Sequence, residues 1–168
     1  MTFKSDNESL KSTSVVIRPA TESDNQTIAR LARYAHKESR GAGRTFDPDR
    51  YAELRRIVLA NRQNMIVLVA EHEGKLLGFL RGQVGEFLFS RDVCATVITL
   101  FMRPEVRGGM TAARLLRSFA AWARNRGAIE VLVSVTSGVD IGRSDAFFQR
   151  LGLRQAGGNY ALALDEVK

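Results

Sequence analysis

The run Thr99-Leu100-Phe101-Met102-Arg103-Pro104-Glu105-Val106-Arg107-Gly108-Gly109-Met110-Thr111-Ala112-Ala113-Arg114-Leu115-Leu116 is the stretch of this chain whose residue types and spacing could do chemistry. Cys94 to Met102 is apolar and rich in β-branched residues, which predicts a central strand covered on both faces and closed by Pro104. Beyond it Ala112, Leu115, Leu116, Phe119, Ala120 and Ala123 recur with helical spacing. Gly108-Gly109 lies between. A strand that feeds a glycine turn opening a helix builds an anion site. The first amides of the helix have no internal partner, the helix dipole is positive there, and glycine lets the backbone approach a phosphate closely. Arg107 and Arg114 can add charge. The segment is not a Walker loop, since no Gly-Lys-Ser/Thr occurs, and it lacks the G-x-G-x-x-G spacing of a dinucleotide turn.

The elements that must hold this turn are legible along the chain. Val15-Val16-Ile17 reads as a strand ended by Pro19, and Thr21 with Asp24 as a capping box before a helix bearing Ile28, Leu31, Ala32 and Ala35. Residues 38–46 read as a flexible basic loop. Asp47-Pro48 caps and opens a second helix carrying Leu54, Ile57 and Val58. Met65 to Ala70 reads as a strand, His72-Glu73-Gly74-Lys75 as a turn, and Leu76 to about Phe89 as the returning strand, with Gly82 and Gly85 marking bends or bulges. Ile129 to Val135 reads as a further strand, so 94–135 forms a βαβ unit with parallel strands. Ser144-Asp145 reads as the cap of a short helix stopped by Gly152, and short strands near 153–156 and 159–165 as the finish. The fold class is therefore α/β with a mixed sheet, organised as a mobile tail over 1–14 and one domain over 15–168.

Composition bounds the function classes. The 168 residues suit one domain, and no apolar run is long enough to span a bilayer. A single cysteine, Cys94, excludes an internal disulfide and fits a reducing, cytoplasmic setting; in its apolar run it reads as a small core residue rather than a nucleophile. His36 and His72 lack metal-ligand spacing. The net charge is +7, with 20 arginines against 5 lysines, which suits an anionic ligand such as a polyphosphate, or equally a solvated basic surface.

The segment from Thr99 to Leu116 resembles the acetyl-coenzyme A signature of the GNAT superfamily, Arg/Gln-x-x-Gly-x-Gly/Ala after a strand that ends in a hydrophobic-x-Pro step. Three further pieces agree in order: Val15-Val16-Ile17-Arg18-Pro19-Ala20-Thr21-Glu22-Ser23-Asp24 is similar to the first strand and helix start, Glu71-His72-Glu73-Gly74-Lys75-Leu76-Leu77-Gly78 to the second hairpin, and Asp145-Ala146-Phe147-Phe148-Gln149-Arg150-Leu151-Gly152-Leu153 to the late helix. The resemblance implies a splayed mixed sheet flanked by helices and transfer of acetyl from acetyl-CoA to a primary amine of a small molecule or protein. It implies that main-chain groups of Leu100, Phe101 and Met102 contact the pantetheine arm, and that the amides of Arg107, Gly108, Gly109, Met110, Thr111 and Ala112 hold the pyrophosphate. Homodimers are common in the family.

Two positions depart from the pattern. Met110 stands where glycine is usual, so its side chain must point outward, with Gly109 taking over part of the role. Phe148 stands where many relatives carry a tyrosine that protonates the leaving thiolate, and it cannot donate. Direct attack by an amine needs a base, an oxyanion donor and an acid. The donor candidate is a backbone amide near Phe101 or Met102. Glu86 and Thr99 are the base-side candidates, and Ser144 and Tyr160 the candidates for the acid. Three of them have a plainer reading: Glu86 as a strand-end charge, Ser144 as a helix cap, Tyr160 as a packed strand aromatic. Trp122 reads as packing on the sheet. Two other readings stay open: a coenzyme A-fold protein that works through cofactor or partner binding without turnover, and a basic nucleic-acid-binding domain, which lacks a recognition motif.

Overall fold

The computed structural model describes residues 14–162, so most of the expected tail and the end of the expected last strand lie outside the described residues. Within them the elements are β1 (Val16–Pro19), α1 (Asn25–Glu38), α2 (Pro48–Ala60), β2 (Met65–His72), β3 (Lys75–Glu86), β4 (Val93–Met102), α3 (Thr111–Arg124), β5 (Ala128–Val133) and α4 (Ile141–Arg150). The strands form one open sheet in the order β1-β2-β3-β4-β5. The first four run antiparallel to their neighbours, and β5 joins β4 in parallel, as the βαβ reading expects.

Strand alternation sorts the core onto two faces. Val69, Phe79 and Phe101 stand in register across β2, β3 and β4 and meet Ile28 and Leu31 of α1. Their neighbours Leu68, Leu80 and Leu100 point the other way, toward Leu115, Leu116 and Phe119 of α3. α3 buries Ala113, Leu115, Leu116, Phe119 and Ala123, against only Ile28 and Leu31 from α1. At roughly 1.5–3 kcal/mol per large buried side chain, α3 is the more firmly seated helix, and the turn at its start is correspondingly fixed. Asp24 is the buried charge of the described residues; it accepts from the Thr21 amide at 2.7 Å and closes the expected capping box.

The feature that shapes a site is a break in the β4 ladder. Arg81 pairs with Thr99, but Gly82 pairs with Val97, leaving Ile98 as an extra residue. A Cβ on Gly82 would run into the Phe119 ring, so glycine lets α3 press onto the sheet at the bulge. The parallel pairing with β5 covers only Val93 to Val97 and ends at Val133. From Ile98 to Met102, β4 therefore has no strand on its β5 side among the described residues.

Several boundaries differ from expectation. β3 ends at Glu86, and Phe87, Leu88 and Phe89 stand exposed in a turn closed by the Phe87 amide on the Asp92 carbonyl at 2.8 Å. No strand forms over 153–162, because the described residues offer that segment no ladder partner. The loop over 38–46 is pinned rather than loose: His36 Nε2 bonds the Arg44 carbonyl at 2.7 Å, and the Arg40 amide donates to the Ser137 carbonyl at 2.6 Å. α4 begins at Ile141, earlier than read, with Asp140 as its cap. Trp122 stacks on Phe119 at 5.5 Å and is covered by the Arg126 guanidinium at 4.1 Å.

Candidate active site

Gly108 has φ +90°, a conformation that side chains with a Cβ rarely adopt, and it turns the chain into α3. Position 110 holds the N-cap of α3, yet methionine has no side-chain acceptor, and no side chain caps the helix. The amides of Gly108, Gly109, Met110, Thr111, Ala112 and Ala113 consequently have no hydrogen-bond acceptor among the described residues; the first helical bond to Met110 comes from Arg114, at 2.9 Å. Six consecutive free donors at the positive end of a helix dipole make a cradle for an oxyanion. The Met110 side chain is 60% exposed and does not fill it. A Cβ on Gly109 would meet only the Val106 carbonyl oxygen, at 3.8 Å, so the protein itself leaves that side open.

Arg107 departs from its expected role. Its amide donates to the Pro104 carbonyl at 3.3 Å, so the free run starts one residue later than expected and extends one residue further, to Ala113. Its guanidinium is also spent: Nε donates to the Met102 carbonyl at 2.9 Å, a terminal nitrogen donates to Glu38 at 2.5 Å, and the group lies over the Phe101 ring at 5.4 Å. Arg107 thus ties the end of β4 to the end of α1. The charge beside the cradle comes instead from Arg143 of α4, whose terminal nitrogen lies 3.4 Å from where a Cβ of Gly108 would sit. No sequence signal marked Arg143, because the contact exists only once α4 packs over the turn.

The open edge of β4 leads to this turn. The Arg103 amide donates to the Leu77 carbonyl at 2.9 Å, across β3. Backbone direction alternates along a strand, so Phe101 also turns its amide toward β3, while Leu100 and Met102 turn theirs to the open side. That Arg107 reaches the Met102 carbonyl from there agrees. Leu100 and Met102 are therefore the main-chain groups available to a ligand lying beside β4, and Phe101 contributes its ring to the α1 side.

The remaining candidates do not gather in one place. Thr99 is half-buried on β4, opposite Arg81, at the start of the open stretch. Glu86 is exposed at the other end of the β3–β4 ladder, opposite Val93. Eight residues separate it from Gly78, which faces Met102, or about 26 Å at 3.3 Å per residue. Ser144 is no cap: it lies inside α4, where Asp140 caps by accepting from the Arg143 amide at 3.1 Å. Ser144 precedes Phe148 by one turn on the same face, and Phe148 packs against the core cluster. Tyr160 is 99% exposed on the irregular 153–162 segment rather than packed in a strand. Cys94 is half-buried rather than in the core; its Sγ lies 3.4 Å from Glu130 Oε1, and burial with that carboxylate raises the thiol pKa, which makes a poor nucleophile.

Comparison with known proteins bears on this geometry. The model of the acetyltransferase (GNAT) family matches residues 29–153. Among solved structures, a transcriptional regulator from Bacillus halodurans superposes with TM-score 0.73 at 20% identity, over 90% of this chain and 100% of that one. Glucosamine-6-phosphate N-acetyltransferase from Arabidopsis thaliana gives 0.71 at 12% identity, over 90% and 99%. AAC(6')-Iy in complex with a bisubstrate analog, CoA-S-monomethyl-acetylneamine, gives 0.71 at 16% identity, over 89% and 97%. At these identities the likeness is one of fold. No curated protein matches at the sequence level.

Proposed function

Since the chain belongs to the acetyltransferase (GNAT) family, we propose that it transfers the acetyl group of acetyl-CoA to a primary amine of a small molecule or a protein by direct attack. The observation that carries this reading is the run of six free amides from Gly108 to Ala113, at the end of a strand edge that β5 leaves open. Both features suit coenzyme A: a diphosphate for the cradle, and an extended arm with its own amides for the edge. When bound, acetyl-CoA supplies the activated thioester.

The chain's part is then binding, orientation and charge stabilisation. The Gly108–Ala113 amides hold the diphosphate, with Arg143 adding charge. The Leu100 main chain and the Met102 amide bond the arm in the place a strand would take. One of these two amides donates to the acetyl oxygen as negative charge builds on it. Ser144 is the group on the α4 face that can hydrogen-bond the departing sulfur. Thr99, beside the open edge, orients the amine. A carboxylate base is absent from β4, and Glu86 is too distant to replace it, so the amine enters neutral and loses its proton to water. The protein works in the cytoplasm, where acetyl-CoA and reduced thiols occur together.

The exposed surface from α1 through α2 carries Arg30, Arg33, Lys37, Arg40, Arg44, Arg50, Arg55 and Arg56 against Glu38, Asp47, Asp49 and Glu53, and is net positive. That charge argues against a polycationic acceptor, the chemistry named for the aminoglycoside acetyltransferase neighbours.

Calorimetry with acetyl-CoA, followed by thiol release across a panel of amines and peptides, tests the proposal. We expect micromolar binding and release with at least one amine class. Gly109→Asp should weaken acetyl-CoA binding by at least about tenfold, because it sets a negative charge in the cradle without a clash inside the protein. Unchanged affinity in that variant would place the cofactor elsewhere. Binding without release across the panel would favour a coenzyme A-binding protein that lacks turnover.

A further inference from the structure

On the α1 side of the sheet one cross-strand row reads Val67, Arg81, Thr99. Arg81 is half-buried there, and its Nε is fully enclosed with no hydrogen-bond partner. No ion pair or hydrogen bond to any of its nitrogens occurs among the described residues. This is unlike Arg18 and Arg103, which are also half-buried: Arg18 bonds Asp24 and Glu71, and Arg103 bonds the Leu76 carbonyl. A guanidinium cannot shed its proton to escape an apolar setting, so it needs an anion.

The surroundings supply space for one. Arg81 lines a cavity of about 50 Å³ with Tyr51 and Arg55 of α2, Asn25 and Ile28 of α1, and Val67 of β2. One water needs roughly 10–15 Å³ by the same measure, so a carboxylate or phosphate group fits. No Asp or Glu lines the cavity. The Tyr51 hydroxyl, the Asn25 amide group and the Arg55 guanidinium also have no hydrogen-bond partner among the described residues. Burial raises the Tyr51 pKa, and Arg81 and Arg55 pull it back, which sets both cations within electrostatic reach of the ring hydroxyl. On the neighbouring strand, the residue facing Arg81 is Thr99, within the stretch of β4 that stands free of β5.

We infer that the Arg81–Tyr51–Arg55 cavity is a subsite for an oxyanion carried by the amine acceptor, a carboxylate or a phosphate. The acceptor is then an anionic amine, held by its acid group under α2 while its amino group reaches the open edge past Thr99. The substrate assignment rests on the acetyl-transfer reading above; the anion subsite itself does not.

Two probes, glutarate and inorganic phosphate, are titrated calorimetrically into Gly109→Asp protein, so that the cofactor cradle does not contribute. At least one should bind. Adding Arg81→Met should weaken it about tenfold, Tyr51→Phe should weaken it less, and Arg81→Lys should recover part of the loss. Arg81→Met in the otherwise unaltered protein should bind acetyl-CoA as before, which also shows that the variant folds. Glutarate against phosphate separates a carboxylate acceptor from a phosphorylated one. In turnover, Arg81→Met should raise KM for acid-bearing amines about tenfold and leave KM for matched neutral amines unchanged. Binding of neither probe, or binding indifferent to Arg81→Met, overturns the subsite. An equal KM change for charged and neutral amines overturns the acceptor assignment. Anion binding that depends on Arg81, without any acetyl transfer, leaves the subsite standing and overturns the transferase reading instead.

Discussion

Phe148 is the residue where chemistry and packing part company. Its ring contacts Phe147 at 5.2 Å and packs against the core cluster, so in this chain the position serves packing. A phenyl ring cannot donate to a departing thiolate, and Ser144, one turn earlier on the same face, has the nearest hydroxyl of α4. Ser144→Ala should therefore lower kcat about ten- to a hundredfold with acetyl-CoA affinity unchanged, and Phe148→Tyr added to it should restore much of the rate. Steady-state thiol release on the two variants decides this; a Ser144→Ala enzyme of full activity removes the hydroxyl from the mechanism. Gly108 is a residue of another kind. At φ +90° it cannot be replaced without strain, and Gly108→Ala should cost about 1–2 kcal/mol in denaturant unfolding.

At the scale of elements, β1 is held to the start of α1 by charge. Arg18 donates to Asp24 at 2.7 and 3.0 Å and to Glu71 at 2.7 Å, and Asp24 also closes the capping box. The Arg18 guanidinium, with help from Thr21, holds the Asp24 carboxyl well below the usual range, so its unfolded pKa is the higher one. The stability it contributes is thus complete above about pH 4 and is lost as pH falls below that toward the folded value. Asp24→Asn should cost about 2 kcal/mol at pH 7 and flatten the acid limb of the unfolding curve; urea melts from pH 7 to pH 3 read both. Most of these elements are legible in the sequence, because the 3.6- and 2-residue apolar periods, Asp47-Pro48 and Thr21–Asp24 are local signals. What escapes is non-local. Gly142 interrupts the helical pattern of α4, so Ser144 reads as its start, whereas the cap is Asp140 in a left-handed conformation. The strand-like 153–156 run has no neighbour to pair with in the described residues. Gly82 can be read as a bend, but its need to admit Phe119 is invisible until α3 packs. The glycine turn that opens α3 is legible as a turn with unpaired amides; the engagement of Arg107 with Glu38 and the approach of Arg143 are not.

For the molecule as a whole, the +7 charge acts at longer range than any contact in the site. Coenzyme A, the ligand proposed above, carries several negative charges, and a net positive protein attracts such an anion at long range. Steering and holding are separable. Arg117 and Arg124 are exposed on α3 and have no ion-pair partner among the described residues, and neither belongs to the proposed binding machinery. Replacing both by Glu removes two charges at each position and takes the net charge from +7 to +3. The substitutions leave the Gly108–Ala113 amides proposed to hold the diphosphate untouched, so dissociation should be unchanged, while association should slow severalfold at low salt. The difference should shrink as ionic strength rises toward 0.15 M, where the Debye length falls to about 8 Å. Stopped-flow acetyl-CoA binding at two salt concentrations measures both rates. A faster koff in the double variant would mean that these arginines touch the ligand and that the cofactor lies further along α3 than the free amides imply.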